Sequence, residues 1–223
     1  MVDLQPPRRR RCLALVAAAA FFASPAVAND EGLELWLNPS AAVALDSDTQ
    51  AELEVALRFR SEADGREDTY YTRLWLHREL SDALTLSGAV ERRVNDPGGD
   101  ETRLMQQLST SKGVFRTRLR LEQRFVDEGR TGLRLRPRAG VELPLGEDGR
   151  WAFVSNAELF VTLRSTSAGG DEGITGVRTQ IGARREVSDR LSLTLAYLRQ
   201  QTIDENGPDR IGHAPLIGVE LSF

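Results

Sequence analysis

Strict alternation between apolar and charged residues over residues 115–126 constrains the fold more than any other feature of this sequence. One parity carries Phe115, Leu119, Leu121 and Phe125, whereas the other carries four arginines and one glutamate. Successive side chains of a β-strand point to opposite faces of the sheet, so the segment has one largely apolar face and one charged face. The same division recurs in segments of about ten residues separated by turn residues, which is typical of transmembrane β-barrels.

Ten segments are long enough to cross a bilayer as tilted strands, which takes about 9–11 residues each. They cover residues 52–60, 70–77, 84–93, 101–110, 115–126, 133–143, 153–162, 177–186, 191–200 and 211–223. We therefore expect an all-β, antiparallel transmembrane β-barrel of about ten strands over residues 49–223. Pro137 has no N–H for a central ladder and predicts a bulge or a strand edge.

Residues 31–46 fit this pattern less well, because Asn38-Pro39 interrupts their alternation. They are too short for two crossings. They form either a short hairpin that makes twelve strands or a periplasmic or lumenal piece under a ten-strand barrel, and we favour the second. The N-terminal segment 29–48 is accordingly separated from the barrel.

The connections between the segments alternate in length, as periplasmic turns and external loops of such barrels do. The short ones are residues 81–82, 145–150 and 188–190, and the longer ones are residues 61–68, 95–100, 165–173 and 204–208. With an even strand number, both chain ends lie on the periplasmic side.

Residues 1–28 have the organisation of a secretory signal peptide. Arginines 8–11 precede an apolar run over residues 13–23, and Ala26-Val27-Ala28 supplies small residues at the cleavage site. We expect export through the Sec translocon and a mature chain that begins at Asn29. Cys12 is the only cysteine and lies in this leader, which excludes disulfides and thiolate metal sites from the mature chain.

The last strand alternates apolar residues and ends on an aromatic one: Ile217, Val219, Leu221 and Phe223. This ending resembles the signal that the barrel-assembly machinery of Gram-negative bacteria reads. We therefore expect the outer membrane as the location, with its lipid and the assembly machinery as partners; no stable protein partner is indicated.

Charge excludes a general nucleic-acid binder. The full chain has 29 basic and 33 acidic residues, and loss of the leader, with four arginines and one aspartate, leaves a net charge of −7. No metal-ligand cluster or cofactor-binding motif appears, so no cofactor is expected.

Arginine and glutamate dominate the inward parity of neighbouring strands. The predicted lumenal network consists of Arg103, Arg116, Arg118, Arg120, Glu122, Arg124, Arg134, Arg136, Arg138, Glu142, Glu158, Arg178, Arg184 and Glu186. Barrels of about eight strands are filled by side chains, so a paired network that fills a narrow lumen is favoured over an anion-preferring pore. The predicted role is that of a structural or narrow-pore envelope protein without catalytic residues.

Two alternatives remain open. His213, on the lipid-facing parity near the outer rim, is the candidate base of a lipid hydrolase or deacylase, whereas His77 is expected in the lumen beside a carboxylate. A soluble periplasmic β-barrel or sandwich binding protein would instead bury the apolar parity in a core. The aromatic residues predicted for the membrane interfaces are Trp36, Trp75, Trp151, Tyr70, Phe125, Phe153 and Phe223, although Trp75 has inward parity.

Several short motifs resemble the bacterial family DUF2490. They are Glu101-x-Arg103 with Gln106-Gln107, Arg118-x-Arg120-x-Glu122-x-Arg124, Arg134-x-Arg136, Pro144-Leu145, Glu158-Leu-Phe160, Tyr197 with Gln200, and His213. The resemblance spans about residues 50–223. It implies an outer-membrane β-barrel and supplies neither a reaction nor a ligand.

Overall fold

The chain forms a closed β-barrel in a computed structural model that describes residues 30–60, 68–96 and 99–223. Within these ranges it has eleven strands: β1 (Asp30–Ala44), β2 (Thr49–Arg60), β3 (Asp68–Ser81), β4 (Leu84–Asp96), β5 (Glu101–Lys112), β6 (Phe115–Val126), β7 (Gly132–Leu145), β8 (Trp151–Arg164), β9 (Gly173–Ser188), β10 (Leu191–Thr202) and β11 (Arg210–Ser222). The predicted all-β barrel is confirmed. In the same ranges, no helix is long and apolar enough to cross a membrane. The leader and the predicted cleavage residues Ala26, Ala28 and Asn29 lie outside the described residues.

The barrel closes through β1, which is one continuous strand where the sequence indicated an interrupted piece. β1 pairs with β2 in the antiparallel sense and with β11 in the parallel sense. This accounts for eleven strands rather than ten. Because β1 and β11 run in the same direction, β1 starts at the end of the barrel opposite to Phe223. The prediction that both chain ends lie on one side assumed an even number of strands, and it does not hold for eleven.

Three prolines occur inside strands at points where one neighbouring ladder is interrupted. The β1–β2 ladder skips Pro39, the β7–β8 ladder skips Pro137, and the β1–β11 ladder skips Pro215. Each proline is still paired with the neighbour on its other side. The missing N–H therefore falls at a gap, and Pro137 lies within a central strand rather than at the predicted bulge or strand edge.

The two ends of the barrel differ in their connections. Short turns join β1–β2, β3–β4, β5–β6, β7–β8 and β9–β10 at one end, which we call the turn end, and Phe223 lies there as well. The opposite end, the loop end, carries the start of β1 and the longer connections, including residues 165–172 and 203–209.

The two faces of the barrel wall have opposite chemistry. Outward-facing apolar side chains are open to the surroundings, for example Leu74 at 59%, Phe115 at 63% and Leu195 at 64% exposure. The buried side chains point into the lumen and include many charged residues, of which Glu91 and Glu122 are each 0% exposed. This arrangement is the inverse of the soluble alternative, in which the apolar parity would form the core.

Close strand packing requires glycine at two inward positions near the turn end. A Cβ on Gly140 would lie 2.6 Å from the Cβ of Asn156, and one on Gly182 would lie 2.5 Å from the Cβ of Ala196. Real Cβ atoms do not approach so closely, so only glycine fits there.

An arginine placed on the exterior at two depths tests whether lipid covers this face. Leu119, in the middle of β6, and Leu145, at the turn end of β7, are equally exposed at 47% and 46%. An outward arginine costs about 2–4 kcal/mol at the bilayer midplane and about 0–1 kcal/mol near the interface. We expect Leu119→Arg to be the more destabilising by at least about 1 kcal/mol in urea unfolding from phospholipid vesicles. Equal effects would contradict a lipid-covered exterior.

Candidate functional site

The lumen is divided into a packed part and an open part. We call the packed residues, buried or nearly buried in the middle and loop-end half, the plug: Trp36, Arg58, Tyr71, Arg73, Glu91, Arg93, Arg103, Arg118, Arg120, Glu122, Arg136, Glu158, Phe160 and Arg178. Toward the turn end, smaller side chains leave a cavity of about 440 Å³, which we call the vestibule. Residues that line it include Ala44, Gln50, Glu52, His77, Thr85, Ser87, Gln107 and Ser109.

Glu91 anchors one side of the plug. Arg73 donates from Nε to Glu91 Oε2 at 2.9 Å, and Arg93 donates from Nη2 to Oε1 at 2.9 Å. Arg103 Nη1 lies 3.5 Å from Oε1. Three guanidinium groups from three adjacent strands therefore compensate a carboxylate that has no contact with water.

Glu122 of β6 and Glu158 of β8 repeat this arrangement farther around the wall. Arg134 and Arg136 each place a guanidinium nitrogen 2.6 Å from Glu122, and Arg136 reaches Glu158 at 2.7 Å with its other Nη. Arg178 Nη1 lies 3.6 Å from Glu158. Arg103 is 3.8 Å from Glu122 and also contacts Glu91. Charges of opposite sign thus alternate from β4 to β9.

Aromatic rings complete the circle around the lumen. Arg178 of β9 lies over the Trp36 ring of β1 at 4.7 Å, and Arg58 of β2 lies over the same ring at 3.9 Å. Arg58 also donates to the Tyr71 hydroxyl at 3.1 Å, and Arg73 lies over the Tyr71 ring at 4.8 Å. Cation–π contacts of this kind are favourable, the more so when the groups are desolvated. The plug is therefore a closed ring of contacts.

The other contacts of the predicted network involve two further plug arginines, Arg118 and Arg120, and residues outside the plug. Arg124 bonds Glu101 at 2.5 Å toward the loop end, and Arg120 bonds the Gln107 amide oxygen at 2.7 Å. Arg118 bonds Glu158, and Arg138 interacts electrostatically with the same carboxylate. At the turn end, Arg116 and Arg184 contact Glu142 at 3.3 and 3.2 Å. Glu186 is 60% exposed and lies 4.0 Å from Arg184, so it is outside the packed network.

Sequence reasoning missed part of the plug. Arg58 and Arg73 were on the correct parity but were not singled out. Trp36 was assigned to an interfacial girdle, which is wrong, because it is 2% exposed inside the lumen. Trp75, 3% exposed, is also inside, whereas Trp151 is 43% exposed on the outer face. Inward parity was the available signal for both buried tryptophans.

The two histidines lie in different surroundings. His213 is on the exterior near the loop end, where Nδ1 is 2.5 Å from the Tyr197 hydroxyl and Nε2 is 3.9 Å from Glu31. Neither partner is a serine. His77 is in the vestibule, where Nε2 is 3.0 Å from Glu52 Oε2 and Nδ1 is 2.9 Å from Ser87 Oγ.

The fold and its interior define a class of protein: a β-barrel with an apolar exterior and a lumen occupied by paired charges. The profile of the family described as "Protein of unknown function (DUF2490)" matches residues 33–211, and the chain belongs to that family. No curated protein matches the chain. A solved structure from the study "Unveiling the Mechanism Behind the in-meso Crystallization of Membrane Proteins" is similar to it at 14% identity, with 80% of this chain and 78% of that chain covered and a TM-score of 0.44.

Removal of one plug carboxylate should be far more damaging than removal of an exposed one. Glu122→Ala removes the carboxylate that Arg134 contacts and leaves Arg136 with Glu158 alone. Removal of one partner from a buried ion pair costs about 3–5 kcal/mol. Glu186→Ala, the matched control, should change the free energy of unfolding by less than about 0.5 kcal/mol. Urea unfolding of detergent-folded protein measures both. Similar losses for the two variants would contradict the structural role of the plug.

Proposed function

We propose that this chain is an outer-membrane β-barrel of Gram-negative bacteria that is sealed by its plug and acts as a structural envelope protein. The observation that carries the proposal is the pairing of an apolar, exposed exterior with carboxylates at 0% exposure inside. Bilayer-spanning sheets must close so that no backbone edge faces lipid, and this barrel is closed. The leader, residues 1–28, and short turns at one end support the same location.

A sealed lumen is favoured over a conducting one because of what occupies it. The plug contacts run from β1 through β9 and return to β1, where Arg178 lies over the Trp36 ring. The central members of the plug are almost inaccessible: Trp36 at 2%, Tyr71 at 4% and Glu158 at 2% exposure. An ion would have to displace guanidinium groups from buried carboxylates, each of which contacts at least three arginines. Unlike the open rings of arginine that favour anions in pores, seven of the eight plug arginines lie within 3.9 Å of a plug carboxylate.

Conductance across a planar bilayer tests the seal. We expect the inserted wild-type protein to be silent, because the packed, nearly inaccessible side chains of the plug obstruct the lumen. Trp36→Ala removes the ring between Arg58 and Arg178 and should produce brief openings. Trp151→Ala, which removes an exterior tryptophan, is the control and should be silent.

Steady ion-conducting steps from the wild-type protein would overturn the sealed structure and favour the anion-preferring pore. Insertion is verified separately by the different gel mobility of unheated and boiled samples. A silent protein that has failed to insert is thereby distinguished from a silent, folded barrel.

The C-terminal phenylalanine tests the proposed route of assembly. Phe223 is 69% exposed, and its backbone N–H donates to the Ala42 carbonyl oxygen at 2.9 Å, so its side chain is free for recognition while its backbone is held by β1. We expect Phe223→Ala to lower the folded fraction in outer-membrane preparations several-fold. Phe115→Ala, 63% exposed at the same end, is the matched control and should assemble normally. Equal yields from both variants would contradict recognition of Phe223 by the assembly machinery.

A further inference from the structure

Three side chains on adjacent strands form a hydrogen-bonded row at the wall of the vestibule. Ser87 of β4 is directly opposite His77 of β3, and His77 faces the neighbouring strand β2, which carries Glu52. The distances are 2.9 Å from Ser87 Oγ to His77 Nδ1 and 3.0 Å from His77 Nε2 to Glu52 Oε2. A nucleophile, a base within hydrogen-bond reach and a third group that orients the base are the parts of an activated serine.

Glu52 determines which imidazole nitrogen is available as a base. The carboxylate accepts a hydrogen bond from Nε2–H, which places the proton of the neutral ring on Nε2 and leaves a lone pair on Nδ1. That lone pair faces the Ser87 hydroxyl. The Trp75 ring stacks on the imidazole with centroids 5.6 Å apart and an angle of 22°, so the orientation of His77 is fixed by packing as well as by Glu52.

The row lines a cavity of a size suited to a small substrate. The vestibule has a volume of about 440 Å³, and Ser87, His77 and Glu52 are all on its wall. Ser87 itself is only 4% exposed, so its hydroxyl is shielded from bulk water and meets only what enters the cavity. The plug closes the other side of the lumen, so access is from the turn end.

Carboxylates at the entrance limit the charge of what can enter. Asp46, Asp48 and Glu79 line the cavity near its opening. Asp46 accepts a hydrogen bond from the backbone N–H of Asp48 at 2.9 Å, which lowers the pKa of its carboxyl and keeps it ionised at neutral pH. Arg78 is 3.6 Å from Asp46 and 3.5 Å from Asp48 and compensates them in part. The entrance therefore repels anions.

We propose that Ser87, His77 and Glu52 form a hydrolytic site for small neutral or cationic esters that enter from the turn end. Ser87 Oγ attacks the ester carbonyl carbon while its proton passes to His77 Nδ1. The bond from the acyl carbon to the alcohol oxygen then breaks, and the alcohol leaves with that proton. Water attacks the acyl-serine, gives a proton to Nδ1 and releases the acid, after which the proton returns to Ser87. Glu52 is a positioning residue that stabilises the imidazolium.

A fluorophosphonate probe tests the nucleophile, because serine displaces its fluoride and retains the phosphonyl group. In detergent-folded protein, we expect mass spectrometry to locate the label on Ser87. His77→Ala should slow labelling by at least about 100-fold, as loss of a general base does. Ser87→Ala should abolish the label. Ser155→Ala, on the outward face of β8, is the control and should label like wild type.

Ester hydrolysis gives a second measurement. Its kcat and KM distinguish a positioning role of Glu52 from a purely structural one. We expect a neutral p-nitrophenyl ester to be hydrolysed faster than a carboxylate-bearing ester of equal acyl length. Glu52→Gln should lower kcat with little change in KM, since it acts through His77. Gel mobility before and after boiling confirms that each variant is folded.

Absence of label on Ser87 in the folded wild-type protein, or equal labelling of the His77→Ala variant, would overturn the hydrolytic site. The chemistry is measured in detergent and does not depend on the membrane. Only the side from which substrate enters rests on the proposed outer-membrane function. A negative labelling result therefore leaves that function intact, and failed membrane insertion leaves the labelling result intact.

Discussion

Compensation of carboxylates that have lost contact with water is the interaction on which the interior of this barrel depends. Glu91, Glu122 and Glu158 are buried on different parts of the wall, and each is contacted by at least three arginines. An isolated buried charge costs several kcal/mol, so the network is stable only when all its members are in place. Arginine suits this role better than lysine, because one planar guanidinium can bond two carboxylates, as Arg136 does.

Features that depend only on the parity of residues along a strand could be predicted from the sequence. Alternation along residues 115–126 is a local property, so the apolar exterior and the inward row from Arg116 to Arg124 were both accessible from the residues alone. The strand number was not, because it depends on whether β1 continues through Pro39. Continuation is possible only because the β1–β2 ladder has a gap at that proline. The pairing of two strands cannot be read from the sequence of either strand alone.

The lumen also contains a part that could be predicted from the sequence and a part that could not. The arginine and glutamate rows were expected inside, and so was a carboxylate beside His77. That Glu52 supplies this carboxylate and that Ser87 lies on the other side of the ring was not predicted. These three residues are far apart in sequence, and they meet only through the registers of β2–β3 and β3–β4. A slip of one residue in either register would turn one of them to the outer face. Trp36 was assigned to the wrong place for a different reason. Tryptophan is common at membrane interfaces, and no sequence pattern distinguishes an interfacial tryptophan from one that makes buried cation–π contacts.

The parallel seam between the first and last strands makes the wall uneven in strength. Parallel pairing is slightly weaker per residue than antiparallel pairing, and this seam also lacks pairing at Pro215. Every other adjacent pair of strands is antiparallel and joined by a direct connection in the chain. Lateral separation of the wall is therefore expected to begin between β1 and β11, where the first strand can leave the cylinder without unthreading any other part of the chain.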